Sequence, residues 1–135
     1  MQLTHETFRK FLKLLNENAV EYLIIGGYAV NFYGYSRYTA DLDVWVNRTN
    51  ENFAKLISAI EQFGYKTDKL LEKDISKPLV FSIGDEPFCI EILSGVVGQK
   101  FEEAFARKNI LNADGFEIPF IHLNDLKVKD RKSVV

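Results

Sequence analysis

Soft metal ligands are nearly missing from this 135-residue chain, which holds one cysteine, Cys89, and two histidines, His5 and His122. A single thiol excludes an intrachain disulfide, and so few thiol and imidazole groups argue against a Cys/His zinc site. Any bound metal would therefore be held by oxygen, which favours magnesium or manganese. Long apolar runs are missing as well: stretches such as Tyr22 to Val30 fall far short of the roughly 20 residues that span a bilayer. No signal-peptide pattern opens the chain, so the expectation is a soluble cytoplasmic protein with no membrane contact. Nor is there a basic excess. Seventeen Lys and Arg against nineteen Asp and Glu leave a net charge of −2, so composition carries no strong nucleic-acid signal beyond what a local patch could supply.

What is present is enough apolar content, 47%, for one compact domain over residues 1–135, with a short C-terminal tail from about residue 123 that could begin another helix. Phe8, Phe11, Leu12 and Leu15 recur at helical spacing between Thr4 and Asn18, with Thr4 placed to cap the start and Asn16 or Asn18 to end it. Glu21 to Ile25 reads as a buried strand that stops at Gly26-Gly27, and a short helix from Tyr28 to about Tyr33 should follow, closed by Gly34. Asp41 to Val46 reads as a second strand. Thr49 or Asn50 can then cap a helix with a Phe53, Leu56, Ile57, Ile60 stripe that ends at Gly64. Leu79 to Ile83 and Phe88 to Leu93 flank the turn sequence Gly84-Asp85-Glu86-Pro87, as in a hairpin. Val97 to Lys108 has helical spacing, and a turn at Asn112 to Gly115 precedes a last strand, Phe116 to Ile121. This order indicates an α+β domain with a mixed sheet of about four to five strands covered by helices.

The chemistry-bearing residues are acids. Asp41 and Asp43, two apart on a strand, project to one side while Leu42 and Val44 face the core. Like charges so close repel unless a hard cation sits between them. Read alone, the pair is either such a seat or two solvated acids on a strand edge. Gly26-Gly27 is either a tight strand-to-helix turn or a phosphate cradle built from open amides and the helix dipole. Glu91 lies between apolar neighbours in a strand. It completes a three-carboxylate group if that strand lies beside the Asp41 strand, and otherwise faces solvent on an edge. Arg37 could reach a phosphate, and Thr39 could orient the turn. Tyr28, Tyr33, Tyr35 and Tyr38 surround the same loop as packing residues or as stacking partners for a base.

The stretch from Ile25 to Val44, with its GGxAVxxxGxxRxTxDxD order and Glu91 on a later strand, resembles the nucleotidyltransferase superfamily related to DNA polymerase beta. Within it, the stretch is similar to the small bacterial branch of AbiEii-type toxin, minimal and lincosamide nucleotidyltransferases. The resemblance implies a nucleotidyltransferase domain in which Asp41 and Asp43 ligate magnesium or manganese on a nucleoside triphosphate such as ATP. Glu91 would take the third-acid position, where it would help to ligate a second metal ion and activate the acceptor hydroxyl, Gly26 and Gly27 would approach the phosphates, and Arg37 and Thr39 match the family's RxT. The implied reaction moves a nucleoside monophosphate to a hydroxyl acceptor (small molecule, protein or RNA) and releases pyrophosphate. An alternative role is that of partner to a cognate toxin or antitoxin protein.

Overall fold

The computed structural model describes residues 6–34, 41–84, 89–113 and 115–127. Helix α1 (Glu6–Glu17) buries the expected stripe completely: Phe8, Phe11, Leu12 and Leu15 are all 0% exposed. Each such side chain contributes about 2 kcal/mol of transfer free energy. Thr4 lies outside the described residues. The helix ends through Ala19, in the left-handed region at φ 56°, with Val20 N–H donating to Leu15 O at 2.9 Å. Of the two asparagines expected to stop the helix, Asn18 does so, its Nδ2 donating to Leu14 O at 2.9 Å, while Asn16 serves elsewhere. Asn16 Oδ1 accepts from Tyr22 Oη at 2.8 Å, tying α1 to the first strand.

Strand β1 (Tyr22–Ile25) runs straight into α2 (Gly26–Phe32), β2 covers Leu42–Val46, and α3 covers Asn50–Gln62. Thr49 caps α3 by accepting from Asn52 N–H at 3.1 Å. Within the predicted stripe Phe53, Leu56 and Ile60 are buried, while Ile57 sits at the core margin. A short α4 (Asp68–Leu71) interrupts the charged stretch that follows. Its lone buried apolar residue, Leu70, gave no periodicity to read. Strands β3 (Val80–Ile83) and β4 (Ile90–Leu93) form the expected antiparallel hairpin, whose turn at 85–88 is outside the described residues. Then come α5 (Phe101–Ala106), β5 (Asn109–Ala113) and β6 (Phe116–Phe120), and residues 123–127 are helical.

The sheet has six strands in the order β3-β4-β2-β1-β6-β5, one more than the sequence suggested. The addition is β5. It is an edge strand of sequence NILNA, largely exposed and paired only with β6, so neither alternation nor an apolar run marks it. The sheet is mixed: β1 runs antiparallel to β2, while β2 with β4 and β1 with β6 are parallel. Register places Tyr22, Ile24, Leu42, Val44, Ile90 and Ile92 on one face, which α1 covers alongside α3. Phe11 of α1 meets Phe63 at the end of α3 edge-on at 5.1 Å. The opposite face carries Ile25, Asp43, Trp45, Glu91 and Leu93, and α5 reaches it through Phe101, whose ring meets Trp45 edge-on at 5.3 Å.

Candidate active site

At the end of β1 the backbone leaves Ile25 extended (φ −125°, ψ −173°) and enters α2 at Gly26, which has φ +71°. Ile25 offers no side-chain acceptor to the first helical turn. Gly26 is required for two reasons. Its φ is unfavourable for any residue with a Cβ. A Cβ at that position would also collide with Asp43 Oδ2 and lie 3.0 Å from Asp43 Cγ. The glycine turn and the carboxylate therefore touch, and the touch is possible only because no side chain stands between them.

Pairing of the strands explains why. Ile25 is in register with Asp43 across the antiparallel β1-β2 ladder, and Asp43 is in register with Glu91 across the parallel β2-β4 ladder. Parallel register partners lie on the same side of the sheet, so Asp43 and Glu91 stand side by side. Glu91 is not on an edge, because β4 lies between β3 and β2. It is half-buried between Ile90 and Ile92, which point to the core at 2% and 0% exposure. Asp41 is half-buried one residue before β2, on a segment docked by a hydrogen bond of 3.1 Å from Leu42 N–H to Cys89 O.

Among the described residues, no group of three or more acidic, histidine or cysteine side chains is gathered tightly enough to hold a metal by itself. Arg37 and Thr39, with Tyr35 and Tyr38, lie outside the described residues. Gly27 is half-buried in the first turn of α2. Two tyrosines of the group are tied into the fold. Tyr28 is buried and meets Phe8 edge-on at 5.8 Å. Tyr33 Oη donates to Ile121 O at 2.6 Å and accepts from Asn109 Nδ2 at 2.8 Å. Burial raises the Tyr33 pKa above its ordinary value, against the lowering effect of the Asn109 bond. One neighbour went unnoticed in the sequence: Ser82 on β3 is exposed and in register with Glu91. Nothing local marks that serine, and only the hairpin register brings it to the acid.

No family model matches the chain, and no curated protein matches it. Among solved structures, it superposes on a crystal structure described as a "putative nucleotidyltransferase" from Thermotoga maritima, with a TM-score of 0.71 at 14% identity. The match covers 94% of this chain and 82% of the other. This chain has the nucleotidyltransferase fold. At that identity the likeness concerns the backbone, and within the nucleotidyltransferase fold it is the contact of Gly26 with Asp43, and of Asp43 with the Glu91 row, that marks a candidate centre. No helix among the described residues is long and apolar enough to cross a membrane.

Proposed function

We propose that the chain is a metal-dependent nucleotidyltransferase that moves a nucleoside monophosphate from a nucleoside triphosphate to a hydroxyl acceptor. The observation that carries this reading is the close approach of Gly26 to the Asp43 carboxylate, with Glu91 in register beside it. It unites the turn suited to phosphate with the acids suited to a hard cation. The residues fit magnesium in a particular way. Magnesium is commonly bound by one or two carboxylates plus substrate phosphates and water rather than by an all-protein cage. Asp41 and Asp43 would supply such a partial shell.

A divalent ion so held would offset the charge on the triphosphate and on the departing pyrophosphate. The chain's own part is positional. Gly26 and Gly27 let the phosphates approach the backbone without obstruction from a side chain. Glu91, one strand over, accepts the proton of the acceptor hydroxyl as its oxygen bonds to the α-phosphorus and the bond to the β-phosphate oxygen breaks. Arg37 would reach a phosphate, and Thr39 would orient the turn or donate a hydrogen bond. The net charge of −2, with no basic excess, supports a small-molecule or protein acceptor over long nucleic acid.

Pyrophosphate release from nucleoside triphosphates in the presence of magnesium and a cell extract tests the reading. Asp43→Asn should reduce release by at least about 100-fold; release from that variant at the rate of the unaltered protein would remove Asp43 from the mechanism.

A further inference from the structure

The sheet ends on one side at β3, which pairs with β4 and, among the described residues, with no other strand. Which of its backbone groups face outward follows from the bonds at its start. Leu79 O accepts from Ser94 N–H at 2.9 Å, and Leu79 N–H donates to Ser94 Oγ at 2.7 Å, so both groups of Leu79 point toward β4. On the far side of β4, Cys89 O accepts from Leu42 N–H, which turns Cys89 and Glu91 to β2 and leaves Ile90 and Ile92 for β3. Antiparallel pairs alternate between bonded and non-bonded. Phe81 and Ile83 therefore turn to β4, while the N–H and C=O groups of Val80 and Ser82 point away from the sheet. Val80 is 60% exposed, and Ser82 is exposed as well. A row of unused main-chain donors and acceptors is a template for one more strand.

A cavity of about 310 Å³ runs beside this edge. Its apolar wall is Ile60 of α3, Leu70 of α4, and Phe81 and Ile83 of β3. All four residues from Phe81 to Gly84 line it. Successive side chains of a strand alternate between faces, so contact with every one of them places the cavity at the edge and not behind it. Three cations stand on the same cavity, Lys66, Lys69 and Lys73, and no acid lines it. None of the three is in an ion pair among the described residues, in a chain whose net charge is −2. Lysine beside an edge repels a second copy of the same edge. It leaves the edge selective for a strand that carries acid.

We propose that β3 is the docking edge for an extended acidic segment of a protein partner, which adds to the sheet as a further strand. Its main chain pairs with the outward groups of Val80 and Ser82. Its side chains on the cavity face follow the order acid, apolar, acid at alternate positions. The apolar one enters between Leu70 and Phe81, and the acids meet Lys66, Lys69 and Lys73. Docking there does not depend on the reaction proposed for Asp43 and Glu91.

The probe is the acetylated and amidated heptapeptide Thr-Glu-Thr-Leu-Thr-Glu-Thr, which carries that order and reads the same in either direction. Titrated into the whole protein by calorimetry, it should bind saturably below about 1 mM. The same peptide with lysine for glutamate should bind at least about 10-fold more weakly, as should the probe to a Lys66→Ala, Lys69→Ala, Lys73→Ala variant. These three side chains are exposed, so the fold is retained. A Lys10→Ala, Lys13→Ala, Lys127→Ala variant, altered at exposed positions elsewhere, is the charge-matched control and should bind as the unaltered protein does. Amide exchange locates the added strand: bound peptide should slow exchange at Val80 and Ser82 at least about 10-fold and leave β5 unchanged. Ser82→Pro removes one outward N–H where an edge strand tolerates proline, and should abolish binding. No binding up to about 5 mM would overturn the proposal. So would equal binding of the lysine peptide, protection of β5 in place of β3, or undiminished binding by the triple lysine variant or by folded Ser82→Pro. Tighter binding of a short single-stranded oligonucleotide, with no protection of Val80 and Ser82 by the peptide, would overturn it in favour of nucleic acid.

Discussion

Gly26 shows how much one missing Cβ can decide. Its backbone lies at φ +71° and its α-carbon lies against the Asp43 carboxylate. In Gly26→Ala the carboxylate must swing aside, because it is the mobile partner of the collision. A stability loss of about 1 to 3 kcal/mol is expected from the backbone strain, read by urea denaturation. Magnesium-nucleotide binding, followed by calorimetry, should fall as well. Gly64 provides the comparison: its φ is +102°, but open space surrounds it. Gly64→Ala should destabilise by a similar amount and leave nucleotide binding intact. Tyr22 makes a second prediction at this scale. Burial pushes its phenol far above the ordinary range, so the folded state keeps a proton that the unfolded chain gives up near pH 10. The stability this contributes is complete below that pH and is lost as pH rises above it. Tyr22→Phe, which cannot ionise, should flatten the alkaline fall in stability measured by thermal denaturation between about pH 9 and 11. At neutral pH the variant gives up the Asn16 bond, about 1 kcal/mol.

Among the elements, β2 and α3 are locked to the start of β1 by one side chain. Asn52 is 3% exposed. Its Oδ1 accepts from Glu21 N–H at 2.7 Å, and its Nδ2 donates to Glu21 O at 3.0 Å and to Asn47 O at 2.9 Å. Three backbone groups from two segments thus meet one amide, Glu21 O also accepting from Asn47 N–H at 3.2 Å, and Thr49 holds the Asn52 backbone in place. Asn52→Ala should cost about 3 kcal/mol or more, because unsatisfied buried groups are left behind. Asn52→Asp retains the acceptor but turns a buried carboxylate oxygen onto the Glu21 and Asn47 carbonyls, and at neutral pH should cost more than Asn52→Ala. Denaturant titration of both variants measures the order. Because this knot fixes how β2 emerges beside β1, it lies beneath the placement of Asp43 opposite Ile25.

For the molecule as a whole, the strand order predicts where the fold opens first. β1 and β2 are paired on both sides and almost fully buried, whereas β5 is an edge strand with Ile110 38% exposed. Amide exchange should be slowest in β1 and β2 and faster by at least about 100-fold in β5; equal protection across the sheet would contradict this arrangement. The same layout separates what was legible in the chain from what was not. Periodicity identified α1 and α3, because each turns a single apolar stripe to the core. The β3-β4 hairpin, and the helix-strand alternation that makes an α+β fold, were legible from local turn chemistry. So was the place of Asp43 on a strand, which needs only the run of strand-forming residues around it. By contrast β5 was invisible, since an exposed edge strand buries too little to impose a pattern. Ser82 likewise carries no local mark. The sequence by itself determined which residues are acids on strands and which glycines end them, as these depend on neighbours along the chain. Only the tertiary structure decided that β4 lies beside β2, that Glu91 stands level with Asp43, and that Gly26 touches the Asp43 carboxylate. Those facts follow from hydrogen-bond register between strands far apart in sequence, which no local spacing encodes.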